Sequence, residues 1–135
     1  MRLSTSVAVL GLLFILTTSV RTAEPSEVLI SALIRVESGG NDRVIGDVKL
    51  KNKAYGCLQV RQPVCDDVNQ RFGTHYRAED CLGNRQLSIE ICKKYLSMYA
   101  KTGADEETAR IWNGGPKGQY KKSTEKYWEK VKKFL

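Results

Sequence analysis

Runs of helical periodicity, closed one after another by glycine, dominate this chain. Leu29, Leu33 and Val36 share one face of a segment that Ser26 opens as a good N-cap, with Glu27 in its first turn. Ser38-Gly39-Gly40-Asn41 closes it, because glycine releases the backbone from helical angles. From Asp42 to Val60 the period is lost. Gly46-Asp47 and Lys51-Asn52 are turn signals between short β-prone pieces, which predicts a small β-hairpin region after the first helix. Gln62-Pro63 opens a second helix that runs to Phe72 and stops at Gly73; Pro63 sits in the first turn, where its missing N–H costs nothing. A loop with Thr74, His75 and Tyr76 and a short helical piece over Glu79–Leu82 lead to Asn84, the expected N-cap of a third helix. That helix spans Arg85 to about Lys101, stacks Leu87, Ile91, Tyr95, Met98 and Tyr99 on one face, and is capped by Gly103. Asp105–Trp112 is a short helix broken by Asn113-Gly114-Gly115-Pro116. A last helix, capped by Ser123, carries Tyr127, Val131 and Phe134 on one face. The fold class is mainly α (α+β), and 135 residues make one domain.

The N-terminus stands apart. Val7–Leu16 is an unbroken apolar run of ten behind a basic start, half of what a membrane span requires. Small and polar residues follow through Ala23, the pattern of a secretory signal peptide over residues 1–23. The expectation is a secreted protein, extracellular or periplasmic, with no stable membrane insertion once the signal is removed. Residues 1–23 hold Arg2 and Arg21 and no acid, so the formal charge of +7 falls to +5 for residues 24–135. A basic exported domain is drawn to polyanions such as a cell wall. No recognition-helix motif supports a nucleic-acid partner, and export argues against one. An even set of four cysteines (Cys57, Cys65, Cys81 and Cys92) in a small exported domain points to disulfides, with three pairings open and reduced buried thiols as the alternative. A zinc site is disfavoured by a single histidine, His75, and by the lack of any CxxC pair. No metal or other cofactor is expected.

With one histidine and no phosphate-binding loop, carboxylates are the candidates for chemistry. Glu37 is the first choice. It ends an apolar helix, where the helix dipole disfavours a second negative charge and apolar neighbours add desolvation. Both raise its pKa, as a general acid working near neutral pH requires. Four motifs accompany it in order: Glu37-Ser38, Gly56-Cys57-Leu58-Gln59, Trp112-Asn113-Gly114-Gly115 and Tyr127 in TEKYWEKV. Together they resemble the lysozyme-like superfamily of peptidoglycan glycosidases over Ser26–Val131. The soluble lytic transglycosylases share the spacing of Glu-Ser, Gly-x-x-Gln, the Asn-Gly-Gly turn and the late tyrosine. The invertebrate-type lysozymes are closer in the second half, where this chain reads AYGCLQV, ARIWNGGPKG and KYWEKV. The chain departs from that branch in having only four cysteines, and Trp112 where histidine precedes Asn-Gly-Gly. His75 has no motif support for the isopeptidase activity of some members.

The resemblance implies a two-lobed, lysozyme-like catalytic domain over residues 24–135. It also implies a monomeric glycosidase, antimicrobial in character, that cuts the β-1,4 bond between N-acetylmuramic acid and N-acetylglucosamine in bacterial peptidoglycan. Glu37 would be the general acid. Asp47, ten residues on, falls where the lysozymes carry their second carboxylate, with Asp42 a weaker substitute. In a transglycosylase Glu37 acts alone and the substrate closes a 1,6-anhydro ring; a catalytically inactive wall-binding relative is the remaining alternative. Gln59, Asn113, Gly114 and Tyr55 would bind sugar, and Tyr127 would steady the Glu37 carboxyl. Each also has a purely structural role open to it: Gln59 bridging backbone near the hairpin, Asn113-Gly114-Gly115 ending a helix, Tyr127 packing in the core. Trp112, Tyr55 and Trp128 are candidates to stack on pyranose faces. The lysines clustered over residues 117–133 would attract the anionic wall.

Overall fold

The computed structural model describes residues 24–135; the expected signal peptide, residues 1–23, lies outside the described residues. Ser26 caps α1 (Glu27–Ser38) through its hydroxyl, which accepts from the Leu29 N–H at 3.1 Å, and Gly39 ends it in the left-handed region. Leu29, Ile30, Leu33 and Ile34 bury the inner face of α1. Two two-residue strands follow, β1 (Ile45–Gly46) and β2 (Ala54–Tyr55), paired antiparallel with Ile45 opposite Tyr55. Tyr55 then bridges to Val60, folding the Gly56–Gln59 turn back on the hairpin.

Four further helices complete the scaffold: α2 (Gln62–Phe72), α3 (Arg85–Tyr99), α4 (Asp105–Gly114) and α5 (Glu125–Val131). Asn84 caps α3 as expected, accepting from the Leu87 N–H at 3.1 Å. The piece before α3 is a 3₁₀ turn over Ala78–Cys81. One core joins the five α-helices of the described residues, through Leu33, Leu58, Val68, Ile91, Leu96, Ile111 and Val131 among others.

Several local expectations are corrected. α3 ends at Tyr99 rather than Lys101, because the Glu107 carboxylate captures the Lys101 and Thr102 backbone N–H groups at 3.1 and 2.8 Å and turns the chain before Gly103. Ser123 does not cap the last helix. A 3₁₀ turn over Lys122–Thr124 runs directly into α5, and the hydroxyl of Thr124 is instead buried in bonds to the Gly118 and Lys121 carbonyls. Phe134 lies in a terminal 3₁₀ turn, half-exposed, rather than on the buried face with Tyr127 and Val131.

The disulfide expectation is corrected as well. Cys57, Cys65, Cys81 and Cys92 are free thiols, all fully buried in the common core, where they pack as small hydrophobes. Burial pushes the Cys65 thiol up to about 12 and that of Cys81 to about 11. Such thiols hold negligible thiolate at neutral pH and are poor nucleophiles.

Candidate active site

Where α1 ends, the hairpin turns and α4 gives way to its glycines, the three segments open onto one cleft of about 450 Å³. Glu37, Asp47, Gln59, Arg61, Trp112 and Asn113 line it, together with Pro63, Val64 and Asp67 of α2, Tyr95 of α3, and Gly115 and Pro116. Residues separated by as many as 79 positions in sequence thus share one cavity.

Glu37 sits in the last turn of α1, partly buried. The Tyr127 hydroxyl of α5 donates to its Oε1 at 2.7 Å. Burial raises the Glu37 pKa and is the largest influence on it. The Tyr127 hydrogen bond, the Arg61 charge and the Trp112 indole pull it back down, while the Asp47 charge adds to the rise. The balance leaves it raised. Tyr127 itself is pushed well up, first by burial and then by the neighbouring Glu37 charge, so it remains a protonated donor. Because Tyr127 occupies Oε1, a proton on the neutral acid is left to Oε2.

Asp47 occupies a left-handed backbone conformation (φ 49°), which the short polar side chain of aspartate tolerates better than most. Its carbonyl accepts from the Leu50 N–H at 2.8 Å, closing the hairpin turn. Its carboxylate is paired with the Arg61 guanidinium, whose other arm donates to the Asn52 carbonyl at 2.7 Å. Arg61 thereby ties the hairpin turn to the start of α2.

Gln59 lines the cleft and also holds the hairpin together, donating from Nε2 to the carbonyls of Gly56 (3.0 Å) and Val44 (3.3 Å). A side chain at Gly46 would overlap its Oε1, so glycine there lets the amide lie flat on β1. Asn113 is an exposed rim residue. Trp112 is buried on the cleft wall and meets Tyr95 edge-on with centroids 6.0 Å apart. Two expected sugar ligands lie elsewhere. Gly114 faces Thr124, against which a Cβ would overlap; this glycine serves the packing of α4 on the following turn, and Gly115 lines the cleft in its place. Tyr55 lines a separate shallow hollow with Lys51, Asn52, Lys53, Gln62 and Glu79, because the bridge to Val60 turns its side chain away from the cleft. Asp42 is not a cleft residue; it is paired with Arg85 at 2.9 Å. Trp128 packs against the core rather than in the cleft.

Sequence reasoning missed Arg61, Asp67 and Tyr95. No local pattern marks the first: Gln59 sits in a turn with left-handed backbone (φ 52°), so strand alternation does not carry from it to Arg61. For Asp67 the signal is its place four residues after Pro63 on one side of α2. Its carboxylate accepts from the Tyr99 hydroxyl at 2.9 Å. Nothing in the periodicity of α3 separates Tyr95 from the core residues beside it.

Comparison with known proteins shows the family and the fold. The Transglycosylase SLT domain family matches residues 17–135. A lysozyme of Ostrea edulis is 28% identical over 131 residues, covering 94% of this chain and 93% of the relative. A lysozyme of Magallana gigas is 31% identical over 111 residues, covering 78% and 77%. Meretrix lusoria lysozyme, solved in complex with Aeromonas hydrophila PliI, superposes with a TM-score of 0.70 at 24% identity, over 81% of this chain and 89% of that one. With Glu37 at the end of its first helix and a glycine-rich break after its fourth helix meeting over a single cleft, the chain belongs to the Transglycosylase SLT domain family and, within that lysozyme-like fold, to the lysozymes.

Proposed function

We propose that this lysozyme-family enzyme cleaves the β-1,4 bond between N-acetylmuramic acid and N-acetylglucosamine, with Glu37 as general acid and Asp47 as the second carboxylate. The observation that carries the reading is the raised carboxyl of Glu37, anchored by Tyr127 at one oxygen and facing a cleft that Asp47 also lines. In this mechanism the glycan lies along the cleft against Trp112, Asn113 and the bare backbone of Gly115. Glu37 delivers its proton from Oε2 to the glycosidic oxygen as the C1–O bond breaks. Positive charge develops on the sugar ring, and the Asp47 carboxylate stabilises it or bonds to the anomeric carbon. Glu37, now ionised, takes a proton from the incoming water, which completes hydrolysis and restores the acid. Arg61 holds the Asp47 carboxylate at the cleft, while burial favours the neutral form of Glu37.

Export through residues 1–23, action outside the cell as a monomer and an antimicrobial role belong to the same proposal. A secreted glycosidase meets bacterial walls, and +5 over residues 24–135 favours their anionic polymers. The family match to transglycosylases supports one second reading, in which Glu37 serves as both acid and base and the muramic acid 6-hydroxyl replaces water. Digestion of purified peptidoglycan followed by product mass decides between them. Hydrolysis leaves reducing muramic acid ends. Transglycosylation leaves 1,6-anhydro ends, lighter by one water, and that result would overturn the role given to Asp47. Wall clearing that survives Glu37→Gln would overturn both.

A further inference from the structure

On the hairpin that borders the cleft, large apolar side chains are exposed together. Ile45, Val48 and Leu50 fall within six residues on the hairpin, with Val48 60% and Leu50 57% exposed. Lys49, Lys51 and Lys53 alternate with them, and every residue from 47 to 53 is exposed. Among the described residues none of these lysines is paired with an acid. The acids nearby are already engaged: Asp47 by Arg61, and Glu79, across the hollow that Lys51 and Lys53 line, by Arg77. The tip is also held in shape, by the Asp47–Leu50 turn and by the Arg61 bond to the Asn52 carbonyl, so presenting these side chains requires no ordering on contact.

Single exposed apolar residues are ordinary, but a cluster of them ringed by one sign of charge suits an interface that is apolar within and anionic at its edge. We propose that this hairpin tip, Ile45–Lys53, docks on anionic phospholipid bilayers, with Val48 and Leu50 entering the headgroup–acyl boundary and Lys49, Lys51 and Lys53 meeting the lipid phosphates. A soluble polyphosphate of the wall engages the lysines equally well but gains nothing from Val48 and Leu50; the apolar pair is what selects a bilayer. Each lysine at an anionic membrane surface strengthens partitioning roughly fivefold. Since Asp47 lines the cleft and Val48 follows it, docking seats the cleft beside the membrane, where newly exposed wall is nearest.

The test is flotation with vesicles of phosphatidylglycerol and phosphatidylcholine, against vesicles of phosphatidylcholine alone, in 0.15 M salt. It is run on the full chain and in parallel on one beginning at Glu24, so that the apolar run of residues 7–16 is controlled. The expected result is partitioning onto the anionic vesicles that falls at least tenfold in Val48→Ser/Leu50→Ser and by a similar factor in Lys49→Gln/Lys51→Gln/Lys53→Gln. Both variants should melt as the parent does, which certifies the fold, and the serine variant should clear a wall suspension as the parent does, which separates this proposal from the assignment of Glu37. Equal vesicle binding by the serine variant and the parent would overturn it. So would absence of parent binding in the chain beginning at Glu24, or losses confined to purified wall with none on vesicles.

Discussion

Tyr127→Phe removes one hydroxyl from the site and little else. The ring is 8% exposed, and phenylalanine fills the same slot. What disappears is the 2.7 Å hydrogen bond to Glu37 Oε1. A hydrogen bond to an ionised acceptor contributes about 1.5–3 kcal/mol and one between neutral groups about 0.5–1.5 kcal/mol. The ionised carboxylate therefore loses more than the neutral acid, by roughly 1 kcal/mol, which is about fivefold in the ratio of the two forms. The sign follows directly. The bond lowers the Glu37 pKa in the parent, so deleting it raises that pKa further, and the alkaline limb of the activity profile moves to higher pH. That limb marks loss of the acid's proton, because Tyr127 is itself pushed well above its ordinary range and does not titrate there. The plateau rate falls as well, by several-fold, since the carboxyl has lost its anchor. Wall clearing measured from pH 4 to 9, with thermal unfolding at each end to certify the fold, reads both effects. A limb that stays put or moves to lower pH in a folded variant would refute the coupling of Tyr127 to the acid.

Further outcomes follow from the same residues. Arg61→Gln withdraws another influence that lowers the Glu37 pKa, so its alkaline limb also moves up, whereas Asp47→Asn withdraws one that raises it; carbon NMR of the Glu37 carboxyl through a pH titration should show the two variants displaced in opposite directions. Glu37→Gln should cut wall clearing at least 100-fold, the scale of general acid catalysis. It should also raise stability at neutral pH: a carboxyl whose folded pKa lies above its unfolded value stabilises the fold fully below about 4.5 and loses that contribution as pH climbs through the folded value, so the variant's advantage in melting temperature must widen between pH 4 and pH 8. Gly118→Ala drives a methyl group into the Arg110 carbonyl and should cost about 1–3 kcal/mol, a drop of at least about 4 °C in melting temperature, with the pH profile unmoved. Alkylation followed by intact mass should find no reactive thiol in the native protein and four in denaturant without reductant; fewer than four would mean that some are oxidised.

The helices were legible because each carries its own start and stop. Ser26, Asn84, Gly39 and Gly73 act on the backbone within a few residues of themselves, and those elements lie where the spacing puts them. The ends that moved did so through distant partners. Glu107 reaches back to Lys101 and Thr102, and Thr124 spends its hydroxyl on Gly118 and Lys121, contacts for which no local pattern exists. The cysteines were misread for a related reason. Their count is a property of the chain, but whether two sulfurs meet is a property of the packing.

The site was legible in its residues more than in its physics. Position at a helix end was one argument for a raised Glu37, yet burial is the larger influence, and it comes from α5 and α4 closing over α1 through Tyr127 and Trp112. Arg61 went unseen although it touches one carboxylate of the cleft and influences the other. It neutralises Asp47 directly and acts on Glu37 at longer range, and so it works against the very shift that burial creates. A cleft lined by Glu37, Asp47 and Asp67 thus holds a compensating cation. One guanidinium, fixed at the start of α2, holds the hairpin turn through the Asp47 carboxylate and the Asn52 carbonyl. Arg61→Gln will lose its rate chiefly because the Asp47 carboxylate and the hairpin turn lose their anchor, and Arg61→Lys, which restores the charge without the two-armed grip, will recover the pH profile more completely than the rate.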